Sequence, residues 1–294
     1  MSHLQSGILA SPVPKYARHL FFNIADAACV GDALRTLAQL ADGKQLLVGI
    51  GEPVSFALDR QIPGLRSFAP LNGPGAQNPA TQHALWCWIT GAEACELAVR
   101  SLDLQALLAP AFTLASASEC FRYKSGHDLT GYEDGTENPV DDDAIAAAAV
   151  ESTEAGLDQS SFAAIQQWVH DLPRFNAHSP LEKDHMIGRQ LSDNEELEDA
   201  PESAHVKRTA QESFSPEAFM VRRSMPFVEG TQAGLMFLCF AKTLDVFEAQ
   251  LKRMSGLEDG ITDALYGFSR PITGGYYWCP AISDGHLNLG ALGL

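Results

Sequence analysis

Short apolar runs alternate with amphipathic stretches along the first half of the chain. Four runs have the length and composition of strands: residues 18–24, 45–51, 83–90 and 111–123. Residues 29–41 and 93–108 instead carry apolar side chains at helical spacing. The predicted order is strand, helix, strand, followed by strand, helix, strand, which is the split βαβ order of ferredoxin-like domains.

The second half repeats this order with longer insertions. Its strand-like runs are residues 161–170, 217–227, 234–241 and 274–279. Residues 244–254 predict an amphipathic helix, with Phe247 and Met254 on one face. We therefore predict an α+β fold of two ferredoxin-like domains, residues 1–130 and 131–294, with antiparallel sheets and peripheral helices. The repeat is inferred from element order, because the halves share no visible sequence identity.

Composition narrows the classes of protein that the chain can belong to. Its 294 residues suit two ordinary domains or one large one, and an apolar content of 46% supplies an ample core. The net charge of −17 argues against nucleic acid and against an anionic membrane surface as partners. The charge does not by itself specify any other partner.

The six cysteines follow neither a metal-binding spacing nor a C-x-x-C-H haem-attachment motif. For Cys87, Cys239 and Cys279, which lie in apolar strand-like runs, the interpretation we favour is a buried, reduced thiol. Residues 1–15 show no secretory signal, and no stretch is long and apolar enough to span a membrane. Reduced thiols without an export signal predict a cytoplasmic protein.

The nine residues Gly131 to Pro139, G-Y-E-D-G-T-E-N-P, are the most informative segment. Gly131 and Gly135 can adopt positive φ, and Pro139 cannot continue a helix or a central strand. Such a turn can hold the carboxylate of Asp134 at a fixed point. An ordinary Asp-Gly turn without any chemistry is the alternative interpretation.

Strand alternation sorts the arginines of residues 217–227. Arg222 shares one face with Ser224, and Arg223 points the other way. A buried sheet arginine requires an anionic partner, whereas an edge-strand arginine in water requires none, and both interpretations stay open. His205 alone is weak evidence, since a lone histidine is more often a surface or core residue than a metal ligand.

Other sites are weakly indicated. The acidic run in residues 195–202 could hold a divalent cation such as manganese, but a solvated loop is the favoured interpretation. The chain lacks an H-E-x-x-H zinc motif, a complete dinucleotide fingerprint and a G-x-S-x-G elbow.

Together these segments resemble the dye-decolorizing peroxidases, and most closely their short, cytoplasmic bacterial members, often called class B. The resemblance rests on five segments: G-Y-E-D-G-T-E-N-P, H-M-I-G-R, S-A-H-V-K-R-T, V-R-R-S-M-P-F and D-A-L-Y-G-F-S-R-P-I-T-G-G-Y-Y-W-C-P. They extend from residue 131 to residue 280. The element order of the first half also agrees with the family fold, so the resemblance covers essentially the whole chain.

The resemblance implies a haem b peroxidase with the haem held non-covalently in the C-terminal domain. His205 would be the proximal iron ligand, and Asp263 would accept a hydrogen bond from its other ring nitrogen. Asp134, Arg222 and Ser224 would lie on the distal side. The resemblance further implies that Arg189 meets a haem propionate.

The implied reaction reduces hydrogen peroxide through a ferryl intermediate and oxidises dyes, phenols or other small one-electron donors. Asp134 would act as the base, with Arg222 lowering its pKa. We expect activity to favour acidic pH and to fall again at the acid extreme, where Asp134 is protonated. Bulky donors would be oxidised at the surface, with Tyr276, Tyr277 and Trp278 as the best candidate relays.

The resemblance also implies a homo-oligomer. We expect no encapsulin docking tail, because the chain ends at G-A-L-G-L without a flexible linker. Two alternatives belong to other classes. One is a haem-binding or haem-delivery protein of the same fold with little turnover, and the other is a ferredoxin-like interaction module without haem.

Overall fold

The computed structural model describes residues 2–294. Its strands are β1 (Tyr16–Ile24), β2 (Leu46–Ile50), β3 (Leu85–Gly91), β4 (Phe112–Phe121), β5 (Ser161–His170), β6 (Val221–Arg222), β7 (Met225–Glu229), β8 (Gln232–Ala241), β9 (Ser269–Pro271), β10 (Gly275–Cys279), β11 (Ile282–Ser283) and β12 (His286–Leu287). Its α-helices are α1 (Val30–Leu40), α2 (Glu52–Ala57), α3 (Ala94–Leu108), α4 (Asp141–Ala148), α5 (Leu172–Asn176), α6 (Pro180–Ile187), α7 (His205–Thr209) and α8 (Asp245–Met254). Among the described helices, none is both long and apolar enough to cross a bilayer.

Antiparallel strands form one sheet that closes on itself. Around the ring the order is β4, β1, β3, β2, β10, β5, β8 and β7, and β7 pairs with β4 to complete the circle. The short strand β9 adds to β5, and β11 pairs with β12 as a separate hairpin. The predicted α+β class with antiparallel strands is confirmed.

Each half of the chain contributes four consecutive ring strands in the same spatial order. In the first half β1 lies between β4 and β3, and in the second half β5 lies between β10 and β8. The predicted element order therefore appears in both halves. The two sheets are nevertheless continuous, and the halves share one closed barrel.

The two faces of the sheet belong to different hydrophobic clusters. On β3, Leu85 and Ile89 pack outward with residues of α1 and α3, whereas Trp86 and Trp88 point to the other side. Trp86 lies there against Tyr277, with ring centroids 5.9 Å apart. The barrel interior is thus filled by large aromatic side chains, and the helices cover the outside.

The predicted strand at residues 217–227 is wrong in its extent. Strand pairing begins only at Val221 and is interrupted between Arg222 and Met225. The register does not shift across the interruption, because Val221 pairs with Phe240 and Met225 with Met236. Successive side chains therefore keep alternating between the two faces of the sheet through residues 223 and 224. The prediction that Arg222 and Arg223 point to opposite faces agrees with this register.

The halves of the barrel meet at two narrow seams. Strands β2 and β10 share the single pair Trp278–Ile50, and β4 and β7 share the single pair Cys120–Phe227. Gln5 reinforces the first seam from inside the protein. Its amide nitrogen donates to the carbonyls of Val48 at 2.9 Å and Pro280 at 3.0 Å, and its Oε1 accepts from the Val48 N–H at 2.9 Å.

We predict that Gln5→Ala lowers the free energy of unfolding by about 2–3 kcal/mol, because backbone groups of both halves lose buried partners. Urea unfolding monitored by circular dichroism measures the change. Gln39→Ala, at an exposed position of α1, is the matched control and should shift the free energy by less than about 0.5 kcal/mol. Equal losses for both variants would show that Gln5 does not reinforce the seam.

Candidate functional site

The segment Gly131 to Pro139 is a tight turn, as the sequence predicted. Gly131 has φ of 97° and Gly135 has φ of 84°, values that side chains with a Cβ rarely adopt. The Asp134 N–H donates to the Gly126 carbonyl at 3.0 Å, which closes the loop at its base. The carboxylate of Asp134 is therefore carried by backbone that has little freedom to move.

Asn138 joins this turn to the strand that carries Arg222. Its Nδ2 donates to the Arg222 carbonyl at 3.0 Å, and its Oδ1 accepts from the Arg222 N–H at 2.8 Å. The side-chain amide of Asn138 thus binds both the N–H and the carbonyl of Arg222, which lies 84 positions later in the sequence. This pair of hydrogen bonds sets the distance between the turn and β6.

His205 is the first residue of α7, and its ring is held by a buried carboxylate. The Nδ1–H donates to Asp263 Oδ2 at 2.7 Å, and the Asp263 side chain is 0% exposed. The other oxygen of Asp263 accepts from the Leu265 N–H at 2.8 Å. Arg208 fixes α7 through two 2.8 Å bonds to the carboxylate of Asp259. The ring therefore has one orientation, with Nε2 left free.

These side chains line one pocket with a volume of about 220 Å³. Asp134, Arg222 and His205 are among its polar lining residues. Apolar side chains form much of the remaining wall: Trp168, Ile187, Leu235, Phe237, Phe247, Leu251, Met254, Leu265 and Phe268. Residues more than eighty positions apart in sequence are thus brought to one cavity.

Three buried polar atoms at or beside the site lack protein partners. Among the described residues, Gln166 Nε2 and Arg222 Nε belong to side chains that line the pocket, whereas Ser224, whose Oγ is likewise buried without a hydrogen bond, does not line it. Ser224 lies close enough to Asp134 to affect its ionisation, without a well-aligned hydrogen bond. Buried donors and acceptors without partners are costly, and those beside the pocket are candidate partners for a bound ligand.

Burial dominates the ionisation of Asp134. It raises the pKa of the Asp134 carboxyl, the positive charge of Arg222 lowers it, and the negative charge of Asp128 raises it. The net shift is upward. The prediction from the sequence was right that Arg222 lowers the pKa of Asp134. It was wrong about the net shift of that pKa, because desolvation of the carboxylate outweighs the effect of Arg222.

The charge of His205 is governed by opposing effects. Burial lowers the pKa of the His205 imidazole, whereas the charge of Asp263 and its hydrogen bond raise it, and the net shift is upward. The Asp263 carboxylate thus increases the basicity of the ring, which strengthens it as an electron donor at Nε2.

Arg223 does not line the pocket. It is buried, and its Nη1 donates to the neighbouring Arg222 carbonyl at 2.8 Å. Burial lowers the pKa of Arg223 to about 10. The two adjacent arginines therefore have different surroundings, and only Arg222 reaches the cavity.

Arg189 lines the pocket but is already bound by carboxylates. It contacts Glu137 directly, lies 3.5 Å from Glu196, and donates to the Asn194 carbonyl at 2.9 Å. Glu196 also lies 3.5 Å from Lys207. Within residues 2–294 no group of three or more acidic, histidine or cysteine side chains is placed to hold a metal ion, including the acidic run at 195–202.

Sequence reasoning missed several residues that shape the site. Asn138 stood inside the turn motif, but its partner could not be identified without the fold. Asp128, His170 and Ser269 also line the pocket, and the His170 ring is hydrogen-bonded to both of the others. Their only sequence signal was that Asp128 lies six positions before Asp134.

Comparisons of the sequence with protein families and with known proteins both find Dyp-type peroxidases. The family model of the Dyp-type peroxidase C-terminal region matches residues 125–284. A dye-decolorizing peroxidase of Mycobacterium tuberculosis is 33% identical over 251 residues, which cover 81% of this chain and 73% of the relative.

Two solved structures have the same overall fold. A protein of Shewanella oneidensis named as a Dyp-type peroxidase superposes with a TM-score of 0.87 at 25% identity, covering 99% of this chain and 98% of the other. A variant of DypB from Rhodococcus jostii, solved in complex with heme, gives a TM-score of 0.81 at 27% identity, covering 92% and 94%.

We predict that Asn138→Ala costs about 1–3 kcal/mol of folding free energy, because the N–H and carbonyl of Arg222 lose their partners. Chemical unfolding measures the loss. Asn23→Ala is the control, since the Asn23 side chain makes one exposed hydrogen bond to His83 and should cost little. A loss no larger than that of the control would contradict the importance of the Asn138 contacts.

Proposed function

This chain belongs to the dye-decolorizing peroxidase family and is a peroxidase, and on that premise we propose that it uses non-covalent haem b to reduce hydrogen peroxide. The electrons would come from dyes, phenols or other small one-electron donors. One observation carries the proposal: a carboxylate, an arginine and a carboxylate-bound histidine line a single pocket with largely apolar walls.

The pocket fits haem in its donor set and in its walls. His205 offers a free Nε2, because Nδ1 is occupied by Asp263. Apolar side chains such as Phe247 and Leu251 suit the faces of a porphyrin. Arg222 lines the cavity and would meet peroxide or water there, whereas the Ser224 hydroxyl lies next to Asp134 and would hydrogen-bond to that carboxylate or to the molecule it binds. In support of this cofactor, the Rhodococcus jostii relative was solved in complex with heme.

His205 would hold the iron, and Asp134, Arg222 and Ser224 would lie on the opposite side. Arg189 is proposed to approach a propionate, which it would share with Glu137 and Glu196. When bound, haem supplies the redox centre that accepts oxidising equivalents from peroxide and passes them singly to the donor.

Asp134 performs the proton transfer in this proposal. Its carboxylate takes a proton from one peroxide oxygen and returns it to the other, directly or through a water molecule. Arg222 stabilises the negative charge that develops as the O–O bond breaks. Ser224 orients the species between them by hydrogen bonding. Asp263 keeps His205 in one tautomer and raises its donor strength.

The position of the aromatic residues narrows the proposed electron route. Tyr276, Tyr277 and Trp278 are all buried, so none of them is a surface residue. Tyr277 lies inside the barrel, whereas Tyr276 meets the pocket-lining Phe247 edge-on at 5.9 Å. The partly exposed Arg66 lies 5.6 Å from the Tyr276 ring. Tyr276 is therefore the proposed relay between the cavity and the surface.

A haem-delivery role is the second candidate, but the distal residues disfavour it. A carrier needs the histidine and the apolar walls, whereas it has no use for a buried carboxylate together with an arginine.

For the domain organisation, we propose two ferredoxin-like halves that meet near residue 130. Because their strands form one closed sheet, the two halves would not separate. Homo-oligomer formation stays a prediction.

The function is tested by the absorbance spectrum of the purified chain before and after one equivalent of hydrogen peroxide. We predict a Soret band that changes with peroxide, and loss of most haem from His205→Ala, because the iron loses its only protein ligand. His178→Ala, on a half-buried histidine that does not line the pocket, should retain haem. The proposal would be contradicted if the wild-type chain failed to bind added haem, or if both variants retained haem equally.

We predict that Arg222→Leu slows the reaction with peroxide by about 10²-fold or more, because the developing charge loses its partner. Arg223→Leu is the matched control, since it removes an adjacent buried arginine that faces away from the cavity. It should change the rate by less than about threefold. Stopped-flow absorbance measures both rates, and the reverse ranking would show that Arg223 is the distal residue.

A further inference from the structure

Gln166 is a buried polar residue of the cavity that the proposed reaction does not use. It lies on β5, lines the pocket and is 1% exposed. Within residues 2–294, its side-chain nitrogen Nε2 has no hydrogen-bond partner. A buried amide donor without a partner is costly, so Nε2 is a candidate donor to a molecule that the cavity binds.

The neighbouring Trp168 decides which end of this amide is left for the cavity. Trp168 Nε1–H donates to Gln166 Oε1 at 3.2 Å. An indole nitrogen can only donate, so the amide oxygen has to face it and the NH2 group has to point elsewhere. Trp168 is itself buried and lines the pocket. The orientation of the Gln166 amide therefore follows from the chemistry of its partner.

The backbone that carries Gln166 is held from both sides. Gln166 pairs with Phe237 of β8 on one side. On the other side, the N–H of the next residue, Gln167, donates to Thr273 Oγ1 at 2.7 Å, and its carbonyl accepts from the Ile272 N–H at 2.8 Å. The Gln166 side chain thus extends from an interior strand with a fixed position.

Gln166 and Arg222 point to the same side of the sheet. Arg222 pairs with Cys239 of β8, and Cys239 pairs with Ala164 of β5. Directly opposed residues share a face, and so do residues two apart along a strand, which extends this face from Ala164 to Gln166. Strand spacing puts the Cα atoms of Arg222 and Gln166 about 12 Å apart. Two long side chains at that separation can both contact one small molecule.

The apolar wall around Gln166 limits what its amide can bind. Its neighbours on the pocket face are Phe237, Leu235 and Trp168. A charged propionate requires water or cations, and the pocket offers these at Arg189, which contacts the exposed Glu137. A small oxygen-containing molecule needs only one or two donors. Gln166 and Arg222 supply such donors from one wall.

We propose that Gln166 is a further ligand-binding residue, whose Nε2–H donates a hydrogen bond to an oxygen of the small molecule beside Arg222. That molecule is peroxide, or the water that peroxide displaces. This inference rests on the proposed function in taking peroxide as the substrate. Trp168 acts as a positioning residue, because it holds the amide with its oxygen turned away from the cavity and its donor available.

Fluoride is the probe, because it binds ferric haem, accepts hydrogen bonds and undergoes no reaction there. In the haem-loaded chain, Gln166→Leu should weaken fluoride binding roughly tenfold, since a hydrogen bond to an anion is lost. Absorbance titration measures the dissociation constant. Gln167→Leu is the matched control, because Gln167 follows on the same strand, points to the other face and does not line the cavity. It should change the constant by less than about twofold.

Trp168→Phe tests the positioning role. Removal of Nε1–H frees the Gln166 amide to rotate, so fluoride binding should weaken about threefold. In the Gln166→Leu background the same change should have no further effect, because Trp168 acts through Gln166. A tryptophan that only fills space would weaken binding equally in both backgrounds, and that result would contradict the positioning role.

Weaker fluoride binding by Gln166→Leu, together with unchanged binding by Gln167→Leu, supports the proposal. Equal binding by the wild type and Gln166→Leu overturns it and means that Nε2 meets solvent water only. If Gln166→Leu does not fold, Gln166→Met, which keeps the length of the side chain, decides on the same criterion. A wild-type chain that binds no haem contradicts the proposed function and this inference together, whereas a haem-loaded Gln166→Leu chain with unchanged fluoride affinity contradicts this inference alone.

Discussion

The arrangement of the whole site depends on the two hydrogen bonds between Asn138 and Arg222. They join a loop that begins the second half of the chain to a strand 84 positions later. Without them Asp134 and Arg222 would sit on separate elements with no fixed separation. Proton transfer and charge stabilisation at one small molecule require that separation to be constant within a fraction of an ångström. An amide that satisfies both main-chain groups of Arg222 provides it.

The closed barrel supplies the rigid support for this contact. Its interior is packed with aromatic rings, and its halves join through two single-pair seams. The cavity lies outside the barrel, between the sheet and the short helices of the second half. The inserted helices α6 and α7, which interrupt the predicted repeat, contribute to the walls of this cavity, and α7 carries His205.

The pKa of Asp134 is determined by burial of the carboxyl as much as by the charged side chains near it. Arg222 favours the Asp134 anion, but desolvation and the charge of Asp128 act against it. Asp128 is itself hydrogen-bonded to His170, so the charges around Asp134 are set by several packed elements and not by Arg222 alone.

The sequence by itself determined most of the ring strands, the helices α1, α3 and α8, and the identity of the chemical groups. Apolar periodicity located β5 and the ring strands of both halves, and the turn chemistry of Gly131 and Gly135 appears as predicted. Periodicity is local, so it reports which face of an element is buried and not which element lies opposite. Only the tertiary structure decided that the halves share one sheet, that Asn138 holds Arg222, and that His170 contacts both Asp128 and Ser269. It also reversed the expected shift of Asp134, because desolvation depends on everything packed around a group and not on its neighbours in sequence.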